Sequence, residues 1–184
     1  MVQGSGNTPA SYAVTPTEKD IYTAVRSWLL SVLPSGFRVI QGQQNRAAPP
    51  PDPFAVMTLI GRERIATNGW SYTDTARNVT EQTQLTMQVS LFGCASSNQM
   101  ETITMLWRDF QAVDWFRSQS IPIAPLNTSS TRKLGFLNGE KQYEDCWSAD
   151  LLMQVNFTAS VRQQFADTLS ATLIEVDTTY PPTE

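Results

Sequence analysis

CWSADLLMQVNF, residues 146–157, places an apolar side chain at every second position: Trp147, Ala149, Leu151, Met153, Val155 and Phe157. A period of two belongs to a strand with one buried face, because successive side chains point to opposite sides of a sheet. A second stretch, TQLTMQVSLF at residues 83–92, repeats it, with Leu85, Met87, Val89 and Leu91 on one side and Gln84, Thr86, Gln88 and Ser90 on the other. Two such strands predict a sheet that is apolar on one face and polar on the other, the habit of antiparallel sheets. Phe37 to Gln41 and the apolar run Phe54 to Ile60 add two more strand candidates.

The apolar face needs a cover, and two segments have helical spacing. Thr17 stands where it can cap a helix, Asp20 follows three residues on, and Glu18 and Asp20 suit the positive end of a helix dipole. Ile21, Val25, Trp28, Leu29 and Val32 then form one stripe that stops before Pro34 and Gly36. Met100, Ile103, Trp107 and Phe110 set a second stripe, read as one helix continuing through Val113. The predicted fold class is α+β: a mainly antiparallel sheet of four or more strands with two principal helices packed on one face.

At 184 residues the chain is long enough for one domain with tails. Residues 1–16, rich in Gly, Ser, Thr and Pro, read as a flexible arm, residues 17–165 as the single domain, and residues 166–184 as a C-terminal tail. Pro49, Pro50, Pro51 and Pro53 mark a rigid connection. Within the domain, residues 61–80 read as a long polar loop in which Asn68-Gly69 can reverse a hairpin.

Composition removes several classes of function. The net charge of -4 disfavours tight general nucleic-acid binding, since an acidic chain gains little from counterion release. No run approaches 18 apolar residues, so no membrane span is expected, and MVQGSGNTPA lacks the basic start and apolar run of a secretory signal. The chain has no histidine, which takes away the usual general base and the commonest metal ligand. Phosphate-cradling glycine motifs are missing too, so the expected catalytic, metal and cofactor residues are none. A histidine-free hydrolase would need a deep pocket with a perturbed carboxylate, whereas Glu140, Glu144, Asp145 and Asp150 read as solvated. Cys94 ends one strand pattern and Cys146 begins another, which would bring them close on one face; a disulfide there would be unusual in a reducing cytoplasm.

Contact chemistry is more visible. Arg62, Arg64, Trp70, Tyr72 and Arg77 are the residue types that anchor interfaces, unless the rings fold back onto their own domain. The same residues support an alternative, a small nucleic-acid-binding module with an Arg and aromatic strip over 62–77, which Glu63, Asp74 and Glu81 dilute. Arg132 can reach a neighbouring subunit's carboxylate or stay in solvent. Asn138-Gly139 fits a tight type I′ turn between LGFL and EKQY.

PLNTSSTRKLGFLNGEKQY, residues 125–143, runs directly into the Trp147 strand. Its Pro125, Leu126, Arg132, Leu134, Phe136, Asn138, Gly139, Glu140, Gln142 and Tyr143, followed by Trp147, form a pattern that resembles the neck and tail terminator proteins of tailed bacteriophages. Gln44, Asn45 and Arg46 ahead of Pro49 to Phe54 look like a second element of that family, and add Asn45 and Arg46 to the interface candidates. The resemblance spans the first helix to about Phe165. It implies a tail-terminator-like fold and a structural virion protein of the head-tail junction, assembled in the bacterial host cytoplasm. It further implies a homohexameric ring that terminates or joins the tail tube. Implied partners are the other copies, a head-side connector, stopper or adaptor protein, and the tail tube protein, with the sheath protein as a further candidate. DNA would pass through the channel without sequence-specific binding, and no membrane is involved.

Overall fold

The two alternating stretches meet as the spine of one sheet. The computed structural model describes residues 12–44, 50, 53–137 and 143–163. Along the chain lie β1 (Val14–Thr15), α1 (Glu18–Val32), β2 (Arg38–Gln41), β3 (Phe54–Arg64), β4 (Gly69–Tyr72) and β5 (Ala76–Phe92). Then follow α2 (Ser96–Trp107), α3 (Phe110–Ser118), β6 (Ile123–Thr128), β7 (Arg132–Leu137) and β8 (Tyr143–Arg162). β5 pairs antiparallel with β8 over all 17 of its residues. Leu91 meets Trp147, Val89 meets Ala149, Met87 meets Leu151 and Leu85 meets Met153. All of these except the partly buried Trp147 are completely buried, so the rows read from the sequence are the centre of the core.

The outer edges of this spine are tiled by shorter strands. β7, β6 and β1 succeed one another along β8, and β3 and β4 succeed one another along β5. β2 lies parallel beside β3, so the eight-stranded sheet is mixed but mostly antiparallel.

The first helix forms as its sequence dictates. Thr17 Oγ1 accepts from Asp20 N at 3.3 Å, and the Asp20 carboxylate accepts from Thr17 N at 2.8 Å, closing a capping box. The Thr17 hydroxyl first, and its backbone N–H second, hold the exposed Asp20 carboxyl below its ordinary value. The cap is therefore at full strength above the usual carboxylate range and is lost only as the pH falls through the lowered value. Ile21, Val25, Trp28 and Leu29 pack into the core, and the Tyr22 hydroxyl accepts a bond from Leu59 N at 2.8 Å.

The expected second helix is in fact two. α2 ends at Trp107, and the extended Asp109 starts α3 by accepting a bond from Gln111 N at 3.0 Å. An aspartate that bonds the backbone ahead of it competes with the continuing helix ladder. The break lets Phe116 meet Trp107 edge-to-face at 5.8 Å and turns Phe110 outward to 80% exposure.

Residues 61–80, expected as a long loop, are mainly strand. β3 continues to Arg64, β4 resumes at Gly69 and β5 begins at Ala76. Asn68-Gly69 does not reverse the chain: β3 and β4 run in the same direction along β5. The reversal falls at Thr73 to Ala76, where Thr73 N donates to Ala76 O at 2.8 Å and Ala76 N donates to Thr73 Oγ1 at 3.1 Å. Polarity here reflects partial exposure of both faces, while the ladders satisfy the backbone. The N-terminal segment also differs from a free arm, since Val14 and Thr15 pair with Ala159 and Thr158. Asn45, Arg46, Asn138, Gly139 and residues 166–184 lie outside the described residues. The registered pair that borders residues 138–142 is Leu137 with Tyr143.

Both cysteines are free thiols: Cys94 is exposed and Cys146 buried, with Phe92 rather than Cys94 opposite Cys146. Burial pushes the Cys146 thiol up to about 11. At pH 8 only about one Cys146 in a thousand would be the reactive thiolate. Iodoacetamide is therefore expected to modify Cys94 in the native protein and Cys146 only after unfolding. Equal labelling rates in the native state would contradict this placement.

Candidate interface on the sheet arm

Past Thr83 the spine changes character. Leu85, Met87, Val89 and Leu91 are completely buried, whereas every residue of β5 from Ala76 to Gln82 is half-buried. The sheet here is an arm four strands wide, in the order β4, β5, β8 and β1.

Five of the predicted interface residues come together on this arm or at its base. Arg62 and Arg64 end β3, and the bulge between Leu59 and Gly61 sets their register, opposite Leu85 and Thr83. Because Leu85 belongs to the apolar row, both arginines sit on the helix side of the sheet. Arg62 Nη2 lies 2.6 Å from Glu18 Oε2, in the first turn of α1, and its guanidinium stands 5.7 Å from the Phe157 ring centroid. Arg64 Nε donates to Ala66 O at 3.0 Å, Arg64 Nη2 donates to Asn68 Oδ1 at 2.5 Å, and Glu81 is 3.9 Å away. Arg64 thus folds over the 65–68 kink between β3 and β4. The two arginines border a groove of about 810 Å³ whose apolar walls include Val14, Val79 and Phe157.

Trp70 and Tyr72 on β4 are 63% and 61% exposed. They do not fold back into the core, because the arm has only half-buried neighbours to offer them. Arg77 lies opposite Tyr72, with a buried Nε that has no hydrogen-bond partner among the described residues.

Arg132 belongs elsewhere. It pairs in register with Ser148, and its Nη2 donates to both carboxylate oxygens of Asp150, at 2.8 and 3.1 Å. Its carboxylate partner is therefore in its own chain, on the helix-free face and about 20 Å along β8 from the nearest row of the arm, Gln82 with Asn156. Asp145 is likewise held, 2.7 Å from Lys133 Nζ. Among the described residues no three His, Cys, Asp or Glu side chains group to hold a metal ion. Among the described residues no helix is long and apolar enough to cross a membrane.

Sequence reading missed Tyr12 and Val14, which are 59% and 49% exposed on the β1 edge. Their alternation in YAVT was too short to separate from the surrounding loop-like composition.

The arm thus gathers arginines tied to carboxylates and amides, exposed aromatic rings and, among the described residues, strand edges without a partner strand. A comparison with curated proteins finds no match. The model of the phage neck terminator protein family matches residues 19–182, which takes in both spine strands, α2, α3, all but the first residue of α1, and the arm without its β1 edge. The chain therefore belongs to the phage neck terminator protein family.

Proposed function

We propose that this neck protein, a structural component of the virion by its family, assembles as a ring of six copies that ends the tail tube at the head-tail junction. The family match over residues 19–182 carries this reading. The ring joins a head-side connector, stopper or adaptor protein to the tail tube protein, and leaves an axial passage for DNA. A chain of net charge -4 suits that passage, because like charge keeps a polyanion from sticking. The work is done by surfaces rather than by a reaction.

The nucleic-acid module gains less support from the geometry. Arg62 is engaged by Glu18, and Arg64 by Asn68 and the Ala66 carbonyl, so two cations of the strip are already tied within the chain. The mass of the purified chain, alone and with the tail tube protein, tests the ring directly.

A further inference from the structure

Among the described residues the arm has two sides without a partner strand, and their exposed apolar residues lie in the same rows. Trp70 on the β4 edge pairs with Val79, Val79 with Ala159, and Ala159 with Val14 on the β1 edge. One row therefore runs straight across four strands, from an exposed tryptophan to an exposed valine. The next row runs from Tyr72 through Arg77 to Val161, and the line of β1 carried back two residues brings Tyr12 level with it. Four of the large exposed hydrophobic side chains of the molecule thus mark the two edges of one short piece of sheet. Lone exposed apolar residues need no explanation, but an aromatic edge strand is a template for another strand unless something covers it.

The strand directions favour a specific partner. β4 is antiparallel to β5, β5 to β8 and β8 to β1, so the directions alternate across the arm. If the β1 edge of one copy meets the β4 edge of the next, the alternation continues unbroken across the seam, as an antiparallel ladder requires. Two different edges of one molecule then form a head-to-tail contact, which closes a ring when the rotation closes.

We propose that the arm is a strand-joining surface for a second copy of this chain, with the Trp70 and Tyr72 edge of one copy laid against the Tyr12 and Val14 edge of its neighbour. Backbone hydrogen bonds supply the attachment, and the two matched rows fix its register. This inference rests on the ring reading and specifies which surface makes the ring.

The test is a cysteine cross-link in a Cys94→Ser background. Within one chain Val14 and Trp70 are three strand spacings apart, about 14 Å, which is too far for a disulfide. Val14→Cys mixed with Trp70→Cys is expected to give, on mild oxidation, a linked dimer containing one of each. Both changes in one chain are expected to give a ladder of linked oligomers. Trp70→Lys, at an exposed position, is expected to leave the melting of the single chain unchanged while raising the concentration needed for assembly at least tenfold. An oligomer of unchanged mass in Trp70→Lys, with no mixed cross-link, would overturn the edge contact and leave the ring standing. A wild-type chain that is monomeric under all conditions would instead remove the ring reading and this contact with it.

Discussion

Met153→Asp is expected to cost about 4 kcal/mol or more, a large share of the roughly 5–15 kcal/mol that holds a domain folded. Met153 is completely buried opposite Leu85, in the middle of the apolar rows. The substitution removes the packing of a buried thioether and puts a carboxyl where no compensating charge faces it from the spine. A buried carboxyl is tolerated best when protonated, so the loss is expected to be smaller at pH 4 than at pH 7. Gln154→Asp supplies the control, because the neighbouring residue points to the opposite face and is half-exposed. Its effect is expected to stay within about 0.5 kcal/mol. Urea unfolding of the two variants reads the difference, and equal losses would show that the faces of β8 are wrongly assigned.

Trp107→Ala is the second large effect, expected at about 3–5 kcal/mol. The indole is 1% exposed and stands edge-on to Trp28 at 4.9 Å and to Phe116 at 5.8 Å. Its Nε1–H also donates to Leu152 O at 3.0 Å, which ties α2 to the spine. Truncation opens a cavity where α1, α2, α3 and the sheet converge, and removes that tie as well. Phe110→Ala makes the comparison informative, because both residues belong to one helical stripe in the sequence. With the helix broken at Asp109, Phe110 is solvent-exposed and its loss is expected to cost less than about 0.5 kcal/mol. Comparable losses for the two would mean that one continuous helix covers the sheet.

That contrast shows where the sequence was legible and where it was not. Leu85 to Leu91 and Ala149 to Val155 announced their faces because a period of two survives any choice of partner. The capping box at Thr17 and Asp20 was equally plain, since it is made by residues three apart. The break at Asp109 was hidden, because the apolar spacing of Met100, Ile103, Trp107 and Phe110 continues across it. Only the cap itself, one aspartate bonded to Gln111 N, marks the new start.

The arm was hidden for another reason. Ala76–Gln82 carries polar residues on both faces, the alternation of Gly69–Tyr72 is only four residues long, and the β8 partner of this part of β5 lies more than 70 residues away in the chain. The cluster of arginine and aromatic residues was nevertheless readable. Arg62, Arg64, Trp70, Tyr72 and Arg77 gather on the arm, whereas Arg132 is drawn away by Asp150, a partner that sequence order gave no reason to choose.

The central claim is that this chain works as a ring. Native mass measurement of the purified protein, alone and mixed with the tail tube protein, tests it most directly. The account predicts a closed species at six times the 20.5 kDa chain mass, alone or once the tube protein is present. A single 20.5 kDa species under both conditions would contradict it.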